Sequence, residues 1–292
     1  MPCTTTNKHH HIHHMPRKPR DNKTPPPLAS YWEQTRWPLQ SLYFLAPLLV
    51  LYELGALWLG PQPGERLPPI FAERLMFDFF QVVGVPGTYL PGILAVVVLL
   101  LTHTLRKDPW KPNPRLWGVM WIESILLAIP LLVIMAAIFR QPINPPTENT
   151  VSFVTQIPGM LAAQPGSDAL SAIGSWPQGV VFSIGAGLYE ELLFRLIAIA
   201  LIHMVLADLL ALPEPAATLT SIALSALLFA LYHFDNPNPL AWDPTQWARF
   251  SFYMIAGVYF AAVYVLRGFG IVAATHAVYD IIVITQYFYS RS

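Results

Sequence analysis

Apolar residues along this chain fall into runs about as long as a bilayer is thick. Seven stretches approach the ~20 residues that a helix needs to cross the hydrocarbon core: 41–59, 89–105, 116–139, 179–206, 217–234, 247–266 and 268–289. Residues 70–83 differ. Glu73, Arg74 and Asp78 interrupt their apolar positions, which predicts an interfacial amphipathic helix or a partly buried connector rather than a span. The expected fold is all-α: a polytopic transmembrane helix bundle of seven to eight spans.

Between the runs, polar segments divide the chain. Residues 1–38 are polar, proline-rich and basic (Lys8, Arg17, Lys18, Arg20, Lys23), and Pro25-Pro26-Pro27 gives a stiff extended stretch. They read as a disordered tail. Residues 39–177 read as a first membrane region with a long loop at 140–177, rich in Pro, Ser, Gly and Thr and without periodicity; residues 178–292 form a second. Lys and Arg concentrate in the tail and in 106–115, two spans apart. Both are therefore expected on the cytoplasmic side, with 140–177 outside, in a multi-pass protein of the cell (inner or plasma) membrane. Trp37, Trp117, Trp121 and Trp247 stand at span ends, where an interfacial aromatic belt would place them.

Composition supports this reading. The chain is 54% hydrophobic and only 12% charged, against about 25% charged in soluble domains. Its net charge is zero and it has no basic patch, so nucleic acid is not an expected partner; the lipid bilayer is. The lone cysteine, Cys3, rules out a disulfide within the chain and a thiolate metal site. The bundle must hold by packing and by buried polar pairs. The tail histidines His9, His10, His11, His13 and His14 read as an incidental tract rather than a metal site.

The run 179–206 contains Glu190, Glu191 and Arg195. Charge at bilayer depth is costly, so these groups must be paired or used. Residues four apart share a helix face, which puts Glu191 with Arg195, Phe229 with His233, and His276 with Asp280. Glu190 points roughly 100° away from Glu191 and is freer to face the bundle interior. These residue types suit water activation. A carboxylate in an apolar pocket holds its proton more tightly than in water, which brings it into range as a general base. A histidine beside it can share the water, and a second can stabilise an oxyanion with an acid fixing its tautomer.

Other groups read as structural. Glu53 and Glu123 can each reach a Tyr, Trp or Arg partner; His103 and His203 look like span-end residues; Arg249 and Arg267 are expected to snorkel. Two non-enzymatic alternatives stay open. One is an immunity or scaffold protein that keeps the motif as a structural charge network. The other is a transporter using Glu53, Glu190 and Glu191 as a proton path, although the paired interruptions typical of inverted repeats are not seen.

Glu190-Glu191-x-x-x-Arg195, then Phe229-x-x-x-His233, then His276-x-x-x-Asp280, resembles the three-motif pattern of the CAAX-protease and bacteriocin-processing family, which includes the type II CAAX prenyl endopeptidases. The resemblance runs from about Gly179 to the carboxyl end and implies a catalytic core over 178–292. It implies a glutamate-dependent intramembrane endopeptidase acting on a membrane-associated protein or peptide. Glu190 and His233 would activate water, Glu191 would pair with Arg195, and His276 with residue 280 would form the oxyanion side. Position 280 is Asp280 where the commonest pattern has asparagine. An ionised aspartate only accepts hydrogen bonds, so Asp280 would have to orient His276 or carry a proton. No cofactor is required. Zinc held by Glu190, His233 and His276, with Glu191 as a further possible ligand, is the alternative; without a His-Glu-x-x-His helix, the metal-free reading is preferred.

Overall fold

The computed structural model describes residues 30–60, 65–67, 69–85, 87, 89–139, 173–234 and 238–289. The expectations for residues 1–29, including the histidine tract, and for 140–172 of the long loop lie outside the described residues. All regular structure among the described residues is helical. A short α1 (Tyr31–Gln34) precedes α2 (Pro38–Trp58), α3 (Phe71–Val82), α4 (Leu90–Arg106) and α5 (Trp117–Ile138), the last entered through a 3-10 turn. A 34-residue rod, Trp176–Leu209, comprises α6 (Trp176–Glu191), a π-helical segment Leu192–Ala198, α7 (Ile199–Met204) and a second π segment. Then come α8 (Glu214–Tyr232), α9 (Pro244–Arg267) and α10 (Phe269–Tyr289).

Local chemistry explains where the helices begin. Proline stands in the first turn of α2, α4, α6, α8 and α9, where its missing N–H costs nothing. Capping boxes start α6 (Ser175 with Gln178) and α9 (Asp243 with Gln246), each satisfying two otherwise unpaired donors. Between α9 and α10 the chain turns at Gly268, whose φ of 87° suits glycine.

Six helices are long and apolar enough to cross a membrane. The seventh expected span is the shorter α4, Leu90–Arg106. At 1.5 Å per residue it reaches about 26 Å, close to the hydrocarbon thickness. Connectivity supports a crossing. At the start of α2, Gln40 accepts from the Asn113 N–H (2.7 Å) and donates to the Asn113 carbonyl (2.9 Å). The two ends of the segment from α2 to α5 therefore meet on one side of the bundle. Since α2 leaves that side, α4 must return to it.

α3 is the amphipathic piece. Arg74, Asp78, Phe79 and Val82 are exposed, while Ala72, Glu73 and Met76 are buried. A polar cluster pins it to the bundle. Tyr52 donates to Glu73; Arg66 bridges Glu73 (2.9 Å) and Glu53 (2.8 Å); Tyr189 donates to Glu53 over 2.9 Å. Burial pushes the Glu73 carboxyl above the usual carboxylate range, against the opposing pull of Tyr52 and Arg66.

α10 is the most buried span, and α6 lies directly against it. A Cβ built on Gly187 would stand 2.6 Å from the Ala273 carbonyl oxygen and the Ala277 nitrogen. Backbone meets backbone here, as small residues permit between membrane helices. Gly187→Ala is expected to destabilise the bundle by about 1–3 kcal/mol through overpacking, read as a lower thermal midpoint in detergent. It would also push Glu191, one turn on, away from α10.

Several side chains depart from expectation. Arg267 does not snorkel: it is 4% exposed, forms a two-point ion pair with Glu123 and lies 3.7 Å from the Trp32 ring centroid. An internal carboxylate outcompetes the interface because α1 folds over the pair. Trp37 is buried rather than belt-like. His103 is fully buried, edge-on to Trp110, while His203 does reach an acid, Glu214, at 3.1 Å across the turn to α8.

Candidate active site

The acidic doublet stands at the end of α6, where the helix widens into its π segment. Such segments shift backbone carbonyls off the regular ladder. Here the Phe194 carbonyl accepts from Ser225 Oγ of α8 at 2.6 Å, joining the rod to its neighbour beside the site. Both glutamates are buried, and their side chains diverge as the helix period requires.

Glu191 faces α10 and Arg195. Its Oε2 lies 3.1 Å from Arg195 Nε and its Oε1 lies 2.8 Å from His276 Nδ1, which makes Nδ1 the proton-bearing nitrogen. Arg195 has no solvent contact. Its guanidinium carbon sits 4.5 Å from the Phe229 ring centroid and 5.7 Å from that of Phe260, an arrangement in which aromatic faces replace some of the lost hydration. One carboxylate thus holds both the buried cation and the imidazole.

Glu190 faces the interior. Its Oε2 is 3.8 Å from His233 Nε2 and 3.8 Å from His276 Nε2; His276 Nε2 is also 3.5 Å from Asp280 Oδ2. His233 caps the end of α8, and its Nδ1 stands 2.7 Å from the Phe229 carbonyl. A carbonyl can only accept, so Nδ1 carries the hydrogen and Nε2 of the neutral ring offers a lone pair to the cavity. Tyr253 stacks on His233 (4.0 Å, 15°) and Phe260 on His276 (4.5 Å, 19°). Both come from α9, one heptad apart on one face. The cavity they enclose has a volume of about 40 Å³, room for three or four waters at roughly 10–15 Å³ each.

Three helices, α6 with its π segment, α8 and α10, therefore bring Glu190, Glu191, Arg195, His233, His276 and Asp280 together; Glu190, His233, His276 and Asp280 line the small cavity, with Glu191 and Arg195 behind it. Phe229, aligned with His233 by its four-residue spacing, is the shared wall: its face meets Arg195 and its ring stands edge-on to His233 and His276. Tyr232, Tyr253 and Phe260 also contribute to the site. Tyr232 stands next to His233 in sequence, and Tyr253 and Phe260 repeat at seven residues, but neither pattern by itself marks a site. Of the outlying acids, Glu53 and Glu123 are engaged in the structural clusters described above.

Zinc needs donor atoms about 2.0–2.2 Å from one point. Among the described residues no group of three or more His, Cys, Asp or Glu side chains is disposed to hold a metal ion. Glu190, His233 and His276 do not fit that requirement as they stand, with Glu190 Oε2 3.8 Å from each Nε2.

Residues 172–282 match a family model described as Type II CAAX prenyl endopeptidase Rce1-like. The matched span begins just before α6 and ends in α10, enclosing all six side chains. No curated protein and no solved structure matches the chain.

Proposed function

We propose that residues 172–282, which belong to the type II CAAX prenyl endopeptidase Rce1-like family, form the catalytic core of a multi-pass membrane endopeptidase that uses Glu190 as its general base. The observation that carries this reading is the placement of Glu190 Oε2 at 3.8 Å from both imidazoles across a cavity with room for water.

A water held between Glu190 and His233 gives a proton to Glu190 as its oxygen bonds to the scissile carbonyl carbon. The carbonyl π electrons move onto oxygen. His276, flanked by Glu191 and Asp280, acts as an imidazolium: its Nδ1–H is held by Glu191, and its Nε2–H is on the side that meets this oxyanion. The tetrahedral intermediate then collapses. The C–N bond breaks, and the leaving nitrogen takes the proton from Glu190. Asp280 can only accept in its ionised form; at 3.5 Å from His276 Nε2 it orients that ring rather than donating to the oxyanion itself.

The substrate class is a membrane-associated protein or peptide. With the basic segments cytoplasmic, His233 and the carboxyl end of α8 lie toward the outer side of the bundle. The test uses protein in lipid vesicles with two quenched fluorescent peptides, a prenylated CAAX peptide and its unprenylated twin, together with a search for uncut membrane proteins in cells lacking the protein. Wild type is expected to cleave with unchanged rate in chelator, while His233→Ala loses hydrolysis by about 10²–10⁴-fold, the range for a general acid–base partner. Loss of activity in chelator, restored by zinc, would overturn the metal-free mechanism. Equal cleavage by His233→Ala would overturn the site.

A further inference from the structure

The two oxygens of Glu190 have different surroundings. Oε2 is the one aimed at the imidazoles. Oε1 is met by the Tyr232 hydroxyl at 3.4 Å. That phenol oxygen also takes the backbone hydrogen bond of Ala72, and the Tyr232 ring is held between Phe71 (5.0 Å) and Phe194 (5.1 Å). Tyr232 is the last residue of α8, directly before His233.

Ala72 lies in the first turn of α3, where N–H groups have no partner within the helix. The cap residue Ile70 supplies no side-chain bond there, so the phenol takes that place. An N–H donated to a hydroxyl polarises it and makes it a better donor in turn. The far end of this chain of bonds is the carboxylate of Glu190. The near end is anchored, because Tyr52 and Arg66 clamp Glu73, the next residue of α3.

We propose that Tyr232 is a positioning residue: its hydroxyl holds Oε1 of Glu190, thereby presenting Oε2 to the water, and ties that carboxylate to the amino-terminal turn of α3. The inference rests on Glu190 being the base. It adds that the amphipathic helix outside the matched core helps to set the base's orientation.

Tyr232→Phe keeps the ring contacts and removes only the hydroxyl. Against whichever vesicle-borne CAAX peptide the wild type cleaves, kcat is expected to fall about tenfold, the effect of losing one hydrogen bond to a charged group, with KM within twofold and an unchanged thermal midpoint. The same substitution made in Glu190→Asp, whose shortened carboxylate no longer reaches the phenol, should cause no further loss, since the two residues act as a unit. Fluorinated tyrosine at position 232 keeps shape and fold while changing donor strength, so kcat should move with the degree of fluorination and KM should not. Wild-type kcat in Tyr232→Phe, an equal tenfold loss in the Glu190→Asp background, or indifference to fluorination would overturn the proposal. Undiminished cleavage by Glu190→Gln would instead overturn the reading beneath it.

Discussion

Glu190→Gln is expected to abolish peptide hydrolysis while leaving the bundle folded. The amide is the same size as the carboxylate and can still receive the Tyr232 hydroxyl, so the contacts of α6 with α8 and α10 persist. What it cannot do is take a proton from water. Loss of a positioned base costs about 10²–10⁴ in rate, so kcat should drop by at least that range. KM should stay within about twofold, because Glu190 is not placed to grip the substrate beyond the reacting atoms. Stability should move the other way or not at all. A buried carboxylate carries a desolvation cost of several kcal/mol, and a neutral amide relieves it, so the thermal midpoint in detergent should equal or exceed that of wild type. This combination separates the enzyme from a membrane scaffold. In a scaffold that uses the doublet as a charge network, Glu190→Gln would weaken the fold and spare whatever activity remains. A folded Glu190→Gln protein that still hydrolysed peptide at the wild-type rate would refute Glu190 as the general base.

The same pair of residues shows how far sequence patterning reaches. The 3.6-residue period separates Glu190 from Glu191, and the four-residue spacing aligns Glu191 with Arg195 and His276 with Asp280; the structure has all three relations. Helix limits are equally local. The run 247–266 becomes Pro244–Arg267, and 70–83 becomes Phe71–Val82, because apolar length and caps decide them. Relations between helices are another matter. Nothing in the spacing of Tyr232 says that its hydroxyl spans Glu190 and α3. Nor does the composition of Leu192–Ala198 announce a π segment, which is seen only once Ser225 takes the Phe194 carbonyl. Arg267 shows the error that follows. Read along one helix, an arginine at a span end has water within reach. In the fold, α5 brings Glu123 and α1 brings Trp32, and the arginine turns inward.

Arg195 should prove the most sensitive structural position of the core. Its guanidinium is fully buried, with one carboxylate partner and aromatic rings for its remaining surroundings. Arg195→Met would leave Glu191 in the same water-free space without its cation. Removing one partner of a buried ion pair typically costs about 3–5 kcal/mol, because the surviving charge is uncompensated. In a marginally stable bundle that is a large share of the total, so Arg195→Met is expected to lower the thermal midpoint sharply and reduce the yield of folded protein. The companion variant Glu191→Gln leaves the opposite charge stranded and should do the same. It also removes the carboxylate at His276 Nδ1, so any folded fraction should hydrolyse slowly. The double replacement, Arg195→Met with Glu191→Gln, removes both charges at once. Neutralising a buried pair together is often tolerated or stabilising, so the double variant should recover most of the stability that either single variant loses. It should not recover activity, since no carboxylate then holds His276 Nδ1. Additive destabilisation in the double variant would mean that the pair is not coupled, and that Arg195 is held chiefly by Phe229 and Phe260. Full activity in the double variant would mean that Glu191 does not orient His276, leaving Asp280 alone to do so.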